Sequence, residues 1–340
     1  MTVLHLLGSP GDGGAETYFL DLVLALQEDD ADQAAAIRPH AHRERVLAEA
    51  GVPLATAPFG GPLDVRTRRR VARFAATEEA RLQVAWMNRA ARFTPPGRPR
   101  LGRLGGYYDL KYYAGFDHLV ANTAEIGRWI EGEGWPAERV SVIPNFAEPG
   151  DAEPASRAAL DTPEDAPLLV AMSRLHPAKG LDVLLRALVR LPEAYAWIAG
   201  SGPLEAELKA LGGRLGVEAR VRWLGWRDDA SALYRAADVC VFPSRFEPLG
   251  NTVIQAWAHG TPVAAASAKG PAELIRDGED GLLVPVDDDE ALADAIRRLL
   301  DDRAFAAALA EAGRARARAD FSRAAVVARW RELFARLGGG

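Results

Sequence analysis

Short apolar runs alternate with helical patterns along the whole chain. The first run, Val3 to Leu7, is followed by a turn-rich loop and then by apolar residues at helical spacing, from Tyr18 to Leu26. The same order of run, loop and helical pattern restarts at Leu168 to Met172 and continues toward the C-terminus. Strands that alternate with helices favour parallel sheets covered by helices, so the pattern predicts an α/β fold with two Rossmann-like domains.

A stretch rich in proline and acidic residues, 147–167, separates the two series and is the best candidate for a linker. The predicted domains are therefore 1–147, 148–320 and a C-terminal helical segment, 321–340. That last segment is amphipathic, and its apolar face is made of Val326, Val327, Trp330, Leu333 and Phe334.

The first half contains one region without a clear periodic pattern. The sequence predicts a helix over 66–81 and a strand over 83–87 that ends at Asn88 and Arg89. The next segment, 93–106, is rich in proline, glycine and arginine, which predicts a loop. A strongly aromatic stretch, 107–113, follows this loop.

The most informative segment is 239–286. Its opening apolar run ends at Pro243, and after a polar loop a helix is predicted over 251–258. Glu247 therefore follows a parallel strand and faces the N-terminus of a helix. Open α/β sheets bind ligands at the carboxyl ends of their strands, and a helix N-terminus favours an anion.

Two other loops also join a predicted strand to a predicted helix. In one, Arg174 and Lys179 are close enough to reach a single anion; the alternative is two solvated surface charges. The other, 8–14, is rich in glycine and could bring bare backbone N–H groups to an anion. It does not fit the dinucleotide fingerprint because Glu16 stands where a third glycine is needed, and a plain tight turn is the alternative.

Composition narrows the class of protein. Apolar residues make up 49% of the chain and charged residues 26%, which is ordinary for a globular protein. No apolar run is long enough to span a membrane, and the N-terminus lacks the basic start of a signal peptide, so the cytoplasm is the expected compartment. The single cysteine, Cys240, is expected to be a small core residue.

Charge is spread unevenly along the chain. The net charge of −6 argues against a nucleic-acid partner. Between Arg66 and Lys111, however, twelve residues are basic and three are acidic. This local excess predicts contact with an anionic partner, and solvated helix faces are the alternative.

Several motifs together resemble the family 4 retaining glycosyltransferases (glycosyl transferases group 1). They are Glu247 with the Gly250 turn, Gln255, the stretch Gly260-Thr261-Pro262-Val263, the loop SRLHPAKG at 173–180, and Ile143-Pro144-Asn145. The resemblance implies a GT-B fold, in which two Rossmann-like domains face a central cleft and the C-terminal helix crosses back to the N-terminal domain. It also implies a nucleotide-diphosphate sugar as donor, with no metal ion and no cofactor.

The resemblance assigns roles to individual residues. Arg174 and Lys179 would neutralise the departing diphosphate, and Glu247 would accept hydrogen bonds from hydroxyls of the donor sugar. The donor site would also include Gly13, Gly14, Gly200, Gly202, Trp226, Arg227, Leu249, Gly250, Asn251 and Gln255. The acceptor side would include Asn88, Arg89, Tyr107 and Asp109.

The chain departs from the family's pattern at one residue and in one stretch, and a further residue has two interpretations. Gln255 stands where the family carries a glutamate that holds the ribose hydroxyls; an amide keeps an acceptor oxygen but loses charge-assisted strength. The stretch 104–107 lacks the histidine that many members carry on the acceptor side. Trp226 is expected either to stack on the base of the nucleotide or to lie in the core.

The implied function is transfer of a hexose-type sugar with retention of configuration, from a UDP-sugar in preference to a GDP-sugar. The acceptor would be an anionic glycan or glycolipid, such as a lipopolysaccharide core or another cell-envelope glycoconjugate, and the basic segment would bring the enzyme to the inner-membrane face. Two alternatives stay open. One is a nucleotide-sugar epimerase or hydrolase on the same fold, and the other is a catalytically weak nucleotide-sugar binding protein.

Overall fold

The chain forms two units in a computed structural model that describes residues 1–11 and 13–338. Unit 1 comprises Met1–Asn145 together with the C-terminal segment that begins at Arg323, and unit 2 comprises Phe146–Ser322. The predicted boundaries, after residues 147 and 320, each lie two residues from these.

Unit 1 contains a sheet of seven parallel strands. Their order across the sheet is β3-β2-β1-β4-β5-β6-β7, so the order reverses between β1 and β4. Such a reversal leaves a crevice at the carboxyl ends of the two strands. The strands are β1 (Val3–Leu7), β2 (Gln33–Ile37), β3 (Leu54–Thr56), β4 (Leu82–Trp86), β5 (Arg100–Leu104), β6 (His118–Ala121) and β7 (Val140–Val142). The helices between them are α1 (Gly14–Glu28), α2 (Ala41–Glu49), α3 (Val65–Thr77), α4 (Met87–Phe93) and α5 (Ala124–Gly132).

The loop predicted at 93–106 is wrong over residues 100–104, where β5 pairs with β4 and β6. Gly102, which weakened the strand pattern, is required by packing. A Cβ at this position would lie within 3.0 Å of the side chains of Tyr113 and Leu119. The glycine therefore makes room for neighbouring side chains, which a local pattern cannot reveal.

Two element boundaries in this region also differ from the prediction. The strand expected to reach residue 87 ends at Trp86, and Asn88 and Arg89 lie in α4. The helix expected over 66–81 ends at Thr77, since Glu79 adopts a positive φ of 49° just beyond it.

Unit 2 contains a sheet of six parallel strands in the order β10-β9-β8-β11-β12-β13. The order reverses between β8 and β11, as it does between β1 and β4 in unit 1. The strands are β8 (Leu168–Met172), β9 (Tyr195–Ala199), β10 (Val221–Gly225), β11 (Val239–Phe242), β12 (Val263–Ala266) and β13 (Leu282–Val284). The helices are α6 (Leu181–Val189), α7 (Glu205–Arg214), α8 (Ala230–Ala236), α9 (Asn251–His259), α10 (Lys269–Leu274), α11 (Asp289–Asp301) and α12 (Arg303–Asp320).

Both faces of the unit 2 sheet are buried. Along β8, Leu168 and Val170 pack into one apolar cluster, whereas Leu169 and Ala171 pack into a second. This alternation is typical of a parallel strand covered by helices on both sides. Cys240 in β11 is fully buried, as expected, and burial raises the pKa of its thiol to about 12.

The last helix, α13 (Arg323–Gly338), belongs to unit 1. Its buried face consists of Val326, Val327, Trp330, Leu333 and Phe334, which confirms the predicted amphipathic pattern. Arg331 donates a hydrogen bond of 3.0 Å to the carbonyl oxygen of Asp29, at the end of α1. The chain thus ends on the unit in which it begins.

Candidate active site

Two loops meet where the strand order of the unit 2 sheet reverses. One, 173–180, follows β8, and the other, 243–250, follows β11. The backbone N–H groups of Arg245 and Phe246 both donate to the carbonyl oxygen of Ala178, at 2.9 and 3.1 Å. Gly180 allows this approach, because its φ is +61° and a Cβ there would lie within 3.0 Å of the backbone of the second loop. The two loops therefore form one structural unit.

Lys179 and Glu247 form an ion pair across these loops, Nζ to Oε2. Each side chain is only 16% exposed, so the pair is largely shielded from water. The ammonium group also lies 5.8 Å from the ring centre of Phe242, at the end of β11. Two of the three predicted catalytic residues are thus brought together by the sheet.

Arg174, the third predicted catalytic residue, is exposed. Among the described residues, its guanidinium group has no hydrogen-bond or ion-pair partner. Its loop is nevertheless fixed, since the backbone N–H of Leu175 donates to the carbonyl oxygen of Ser201 at 3.0 Å. The cation therefore extends from a well-supported backbone and is available to an anion.

The two glycines after β9 have a packing role in this arrangement. Gly200 has a φ of +136°, and a Cβ there would lie within 3.0 Å of the carbonyl oxygen of Ser173. A Cβ at Gly202 would clash in the same way with the backbone of Leu175. Both glycines therefore let the turn after β9 pack against the loop that carries Arg174.

Arg245 was not identified as a site residue from the sequence, yet it connects three segments near the carboxyl ends of the unit 2 strands. Its guanidinium group donates to both carboxylate oxygens of Asp182, at 2.7 Å each, and to the carbonyl oxygen of Pro177 at 2.9 Å. It also donates to Asp287, beyond β13, at 2.5 Å. Burial alone would raise the pKa of Asp182, but hydrogen bonds from Arg245 and Arg186 lower it to about 2. No local signal marks such a residue, because its partners are far apart in sequence.

The N-terminus of α9 lies next to Glu247. Gly250 caps the helix with a φ of +99°, and Asn251 begins it. Thr252 ties the first turn to β8 by donating to the carbonyl oxygen of Met172 at 3.1 Å. The side chain of Leu249 is buried, so at this position only the backbone can serve a ligand.

Gln255 is exposed on α9 and has a specific partner. The hydroxyl group of Tyr234 donates to its Oε1 at 3.3 Å. Tyr234 is fully buried, and burial raises its pKa well above the ordinary value, so the phenol stays protonated. Its ring stacks on His259 with centres 5.2 Å apart. With Oε1 engaged by a donor, the amide group of Gln255 is left to donate its own N–H protons.

Trp226 is 71% exposed, which excludes the alternative of a core tryptophan. It follows Gly225, whose carbonyl oxygen accepts a 2.7 Å hydrogen bond from the backbone N–H of Gly200. Arg227 is held by Asp229, with Nε at 2.7 Å from Oδ1. The segment after β10 is therefore attached to the turn after β9 and presents an indole ring.

The glycine-rich loop of unit 1 is held by a buried arginine. Arg43 is 1% exposed and donates to the carbonyl oxygen of Ser9 at 3.0 Å and to that of Gly11. The hydroxyl group of Ser9 donates to the carboxylate of Glu16, the residue that breaks the dinucleotide fingerprint. Gly13 precedes α1 in an extended conformation, and Gly14 begins that helix.

Two of the predicted acceptor-side residues lie at the start of α4, and one of them packs against this loop. Arg89 packs against Gly8, where a Cβ would lie 2.9 Å from its Cγ, and donates to the carbonyl oxygen of Phe59 at 3.0 Å. The Oδ1 atom of Asn88 is buried and has no hydrogen-bond partner within the described part of the chain. Asn88 and Arg89 thus occupy the carboxyl edge of the unit 1 sheet.

The other two acceptor-side predictions lie in the aromatic stretch after β5. The hydroxyl group of Tyr107 donates to Glu125, and its ring meets that of Trp129 edge to face, with centres 5.3 Å apart. Asp109 is exposed and pairs with Lys111, which lowers the pKa of its carboxyl group. All of these partners belong to unit 1.

Sequence reasoning missed Arg103, because it lies in the strand that was predicted as a loop. The residue is 2% exposed, and its guanidinium carbon lies 5.0 Å from the ring centre of Tyr18 and 5.3 Å from that of Trp86. It donates to the side-chain oxygen of Asn145, the last residue before the chain enters unit 2. Arg103 therefore attaches Asn145 to β5 by a hydrogen bond, and the two aromatic rings stabilise its buried guanidinium group.

Two properties of the described residues concern metal ligands and membranes. Among them, no set of three or more His, Cys, Asp and Glu side chains is grouped as metal ligands would be. None of the helices found there combines the length and the apolar character that a bilayer crossing requires.

Comparison with known proteins adds sequence relatives and a structural neighbour. Residues 166–302 match the family described as Glycosyl transferases group 1. The chain is 38% identical over 329 residues to the lipopolysaccharide core biosynthesis glycosyltransferase LpsE of Rhizobium meliloti, covering 95% of this chain and 96% of the relative. It is 36% identical over 342 residues to LpsD of the same organism, which has the same descriptive name, covering 99% and 98%.

One structural neighbour is the Anabaena protein HepE, crystallised in complex with UDP. It superimposes with a TM-score of 0.87 at 24% identity, covering 99% of this chain and 100% of HepE. At this identity the likeness concerns the fold alone, and it confirms the predicted GT-B-like α/β architecture.

Proposed function

This chain belongs to the glycosyl transferases group 1 family and is a glycosyltransferase, and from that premise we propose that it transfers a hexose-type sugar to a cell-envelope glycoconjugate, with retention of configuration. A lipopolysaccharide core is the acceptor that we favour. The support is that LpsE and LpsD, each similar over nearly the full chain, are named for lipopolysaccharide core biosynthesis.

The donor that we propose is a UDP-sugar. HepE, which has the same fold, is described in complexes with UDP and with UDP-glucose. In this chain, the exposed ring of Trp226 would stack on the base. The amide group of Gln255, with its oxygen engaged by Tyr234, would donate to a ribose hydroxyl oxygen.

The observation that carries the proposal is the ion pair of Lys179 and Glu247, together with the exposed Arg174 in the loop that carries Lys179. When the bond between the anomeric carbon and the phosphate oxygen breaks, negative charge grows on the diphosphate. Preorganised cations in a shielded site stabilise that charge, and Lys179 keeps two N–H protons for this purpose beyond the one that Glu247 accepts. Glu247 would meanwhile accept hydrogen bonds from hydroxyls of the sugar.

Retention follows if the new bond forms on the face that the leaving group departs from. The acceptor oxygen then bonds to the anomeric carbon as the phosphate oxygen leaves, and the acceptor proton moves to that phosphate oxygen. This step requires no metal ion and no cofactor. The acceptor would be bound by residues of unit 1, with Asn88 and Arg89 as our candidates.

The test is release of the nucleoside diphosphate, UDP or GDP, from a panel of UDP- and GDP-sugars, with and without a truncated lipopolysaccharide core. We expect release that requires the core, and a product whose anomeric configuration by NMR matches that of the donor. Release of the diphosphate without acceptor would instead favour a hydrolase, and conversion of the donor into an isomeric nucleotide-sugar without acceptor would favour an epimerase. Binding of UDP with no turnover on any core would favour a nucleotide-sugar binding protein.

A further inference from the structure

The solvent-facing side of α3 carries an unusual concentration of positive charge. Its buried side consists of Thr67, Val71 and Ala75. The opposite side carries exposed arginines at the helical spacing of three and four residues, and these are Arg66, Arg69, Arg70 and Arg73. We call these arginines, together with Leu63 and Val65, the α3 face.

These four arginines lack acidic partners although they are close together on one helix face. Among the described residues, no carboxylate lies within ion-pair distance of any of the four. By contrast, Arg190, Arg297 and Arg314 each pair with a glutamate or an aspartate. The positive charge of the α3 face is therefore left uncompensated within the protein.

An apolar side chain is presented at the N-terminal end of this face. Leu63 is 91% exposed, and Val65 is 50% exposed. The turn that carries Leu63 is braced, because Asp64 accepts hydrogen bonds from the backbone N–H groups of Gly60 at 2.8 Å and Thr67 at 2.9 Å. Leu63 is thus held away from the protein by a helix cap.

We propose that the α3 face docks the enzyme on an anionic lipid surface. Arginines would lie among the phosphate headgroups, and Leu63 with Val65 would enter the boundary of the acyl chains, as in amphipathic interfacial helices. The apolar tip favours a lipid surface over a free anionic glycan, which offers nothing for Leu63 to enter. The net charge of −6 would repel the protein from such a surface, so attraction has to come from this local excess.

The proposal deepens the proposed function by naming a partner surface, but its test does not depend on sugar transfer. The full chain is sedimented with phosphatidylcholine vesicles, alone or containing about 30% phosphatidylglycerol. We expect binding to the anionic vesicles only, and release as salt is raised, because screening weakens attraction between exposed charges. The triple variant R66Q/R69Q/R73Q should partition at least about thirtyfold less, since each basic residue near an anionic surface contributes about fivefold.

Two further variants separate the parts of the face. L63S retains all charge and should lower partitioning about fivefold or more by removing a buried apolar side chain. The control R214Q/R303Q/R318Q removes the same charge from exposed positions of unit 2 and should bind as the wild type does. Melting temperatures of the variants, which should match the wild type, show that each is folded.

Several outcomes would overturn the docking surface. They are equal binding to neutral vesicles, unchanged binding of the α3 variant, or an equal loss in the unit 2 control. Retained vesicle binding with a loss of transfer to a soluble core would assign the α3 face to a glycan. Failure of UDP to stabilise a protein that still binds vesicles would count against the proposed function and leave the docking surface intact.

Discussion

Arg245 and Asp182 are joined by two parallel hydrogen bonds, each 2.7 Å long. Arg245 lies two residues before Glu247, and Asp182 lies in the first turn of α6, three residues after Lys179. Their contact therefore fixes the relative position of the two loops that provide the ion pair of the candidate active site. A bidentate pair of this kind supplies geometric precision as well as energy.

We expect Arg245→Gln to lower kcat at least tenfold with a smaller change in the KM for the donor. The reason is that a looser loop misplaces Glu247 relative to the breaking bond, while contacts to the nucleotide remain. Steady-state kinetics measure both constants. Arg245→Lys keeps the charge but not the fork and should recover only part of the rate. Arg297→Gln, which breaks an exposed pair with Asp294, is the control and should leave both constants unchanged.

The same contact predicts a pH dependence of stability. The pKa of Asp182 is lowered to about 2 in the folded protein, against about 3.9 in an unfolded chain. The contribution of the Arg245–Asp182 contact to the free energy of unfolding is therefore fully present above about pH 4 and is lost as the pH falls toward 2. Urea unfolding should show a smaller difference between wild type and Arg245→Gln near pH 3 than at pH 7. An equal difference at both values would show that the pair does not stabilise the fold in this way.

We expect Lys179→Ala and Glu247→Ala each to lower sugar transfer at least tenfold, with a double variant less impaired than the product of the two effects. One change removes a cation from the diphosphate, and the other removes both a sugar contact and the partner that positions the cation. Initial rates of UDP release measure this. Lys209→Ala breaks an exposed pair with Glu205 and should be neutral. Near-wild-type rates for both site variants would refute this assignment of the active site.

The exposed Gln255 stands where the resemblance leads us to expect a glutamate. We expect Gln255→Glu to bind UDP threefold to tenfold more tightly, because a carboxylate accepts charge-assisted hydrogen bonds from ribose hydroxyls and from Tyr234. Calorimetric titration measures the change. In the chain that retains Gln255, Tyr234→Phe should weaken UDP binding, because the side-chain amide of Gln255 is then free to rotate. Weaker binding by Gln255→Glu would show that the site requires an N–H donor at this position.

Local patterns were sufficient for the parts of the fold that depend on local chemistry. The apolar run of β11, the loop with Glu247 and the glycine that caps α9 are adjacent in sequence, and the structure has them in that order. The ion pair of Lys179 and Glu247 joins residues 68 positions apart, so it depends on the strand order of the sheet. β5 was missed because its glycine serves a tertiary contact with Tyr113 that no neighbouring residue reveals.

A pair of glycines offers a test of how closely the two loops of the candidate active site must pack. Gly180 and Gly216 have similar positive φ values, +61° and +69°, so alanine pays a comparable backbone strain at both. They differ in surroundings, because a Cβ at Gly180 would clash with the backbone of Pro243, whereas a Cβ at Gly216 would meet nothing within 4 Å.

Gly216→Ala should therefore lower the free energy of unfolding by about 1–2 kcal/mol and leave the transfer rate unchanged. Gly180→Ala should lower it by at least about 1 kcal/mol more, since overpacking adds to strain, and should reduce transfer at least tenfold because the loops of Lys179 and Glu247 are forced apart. Urea unfolding and initial rates measure the two effects. If both variants lost the same stability and the same activity, backbone strain alone would be responsible. The close approach of the two loops would then have no part in catalysis.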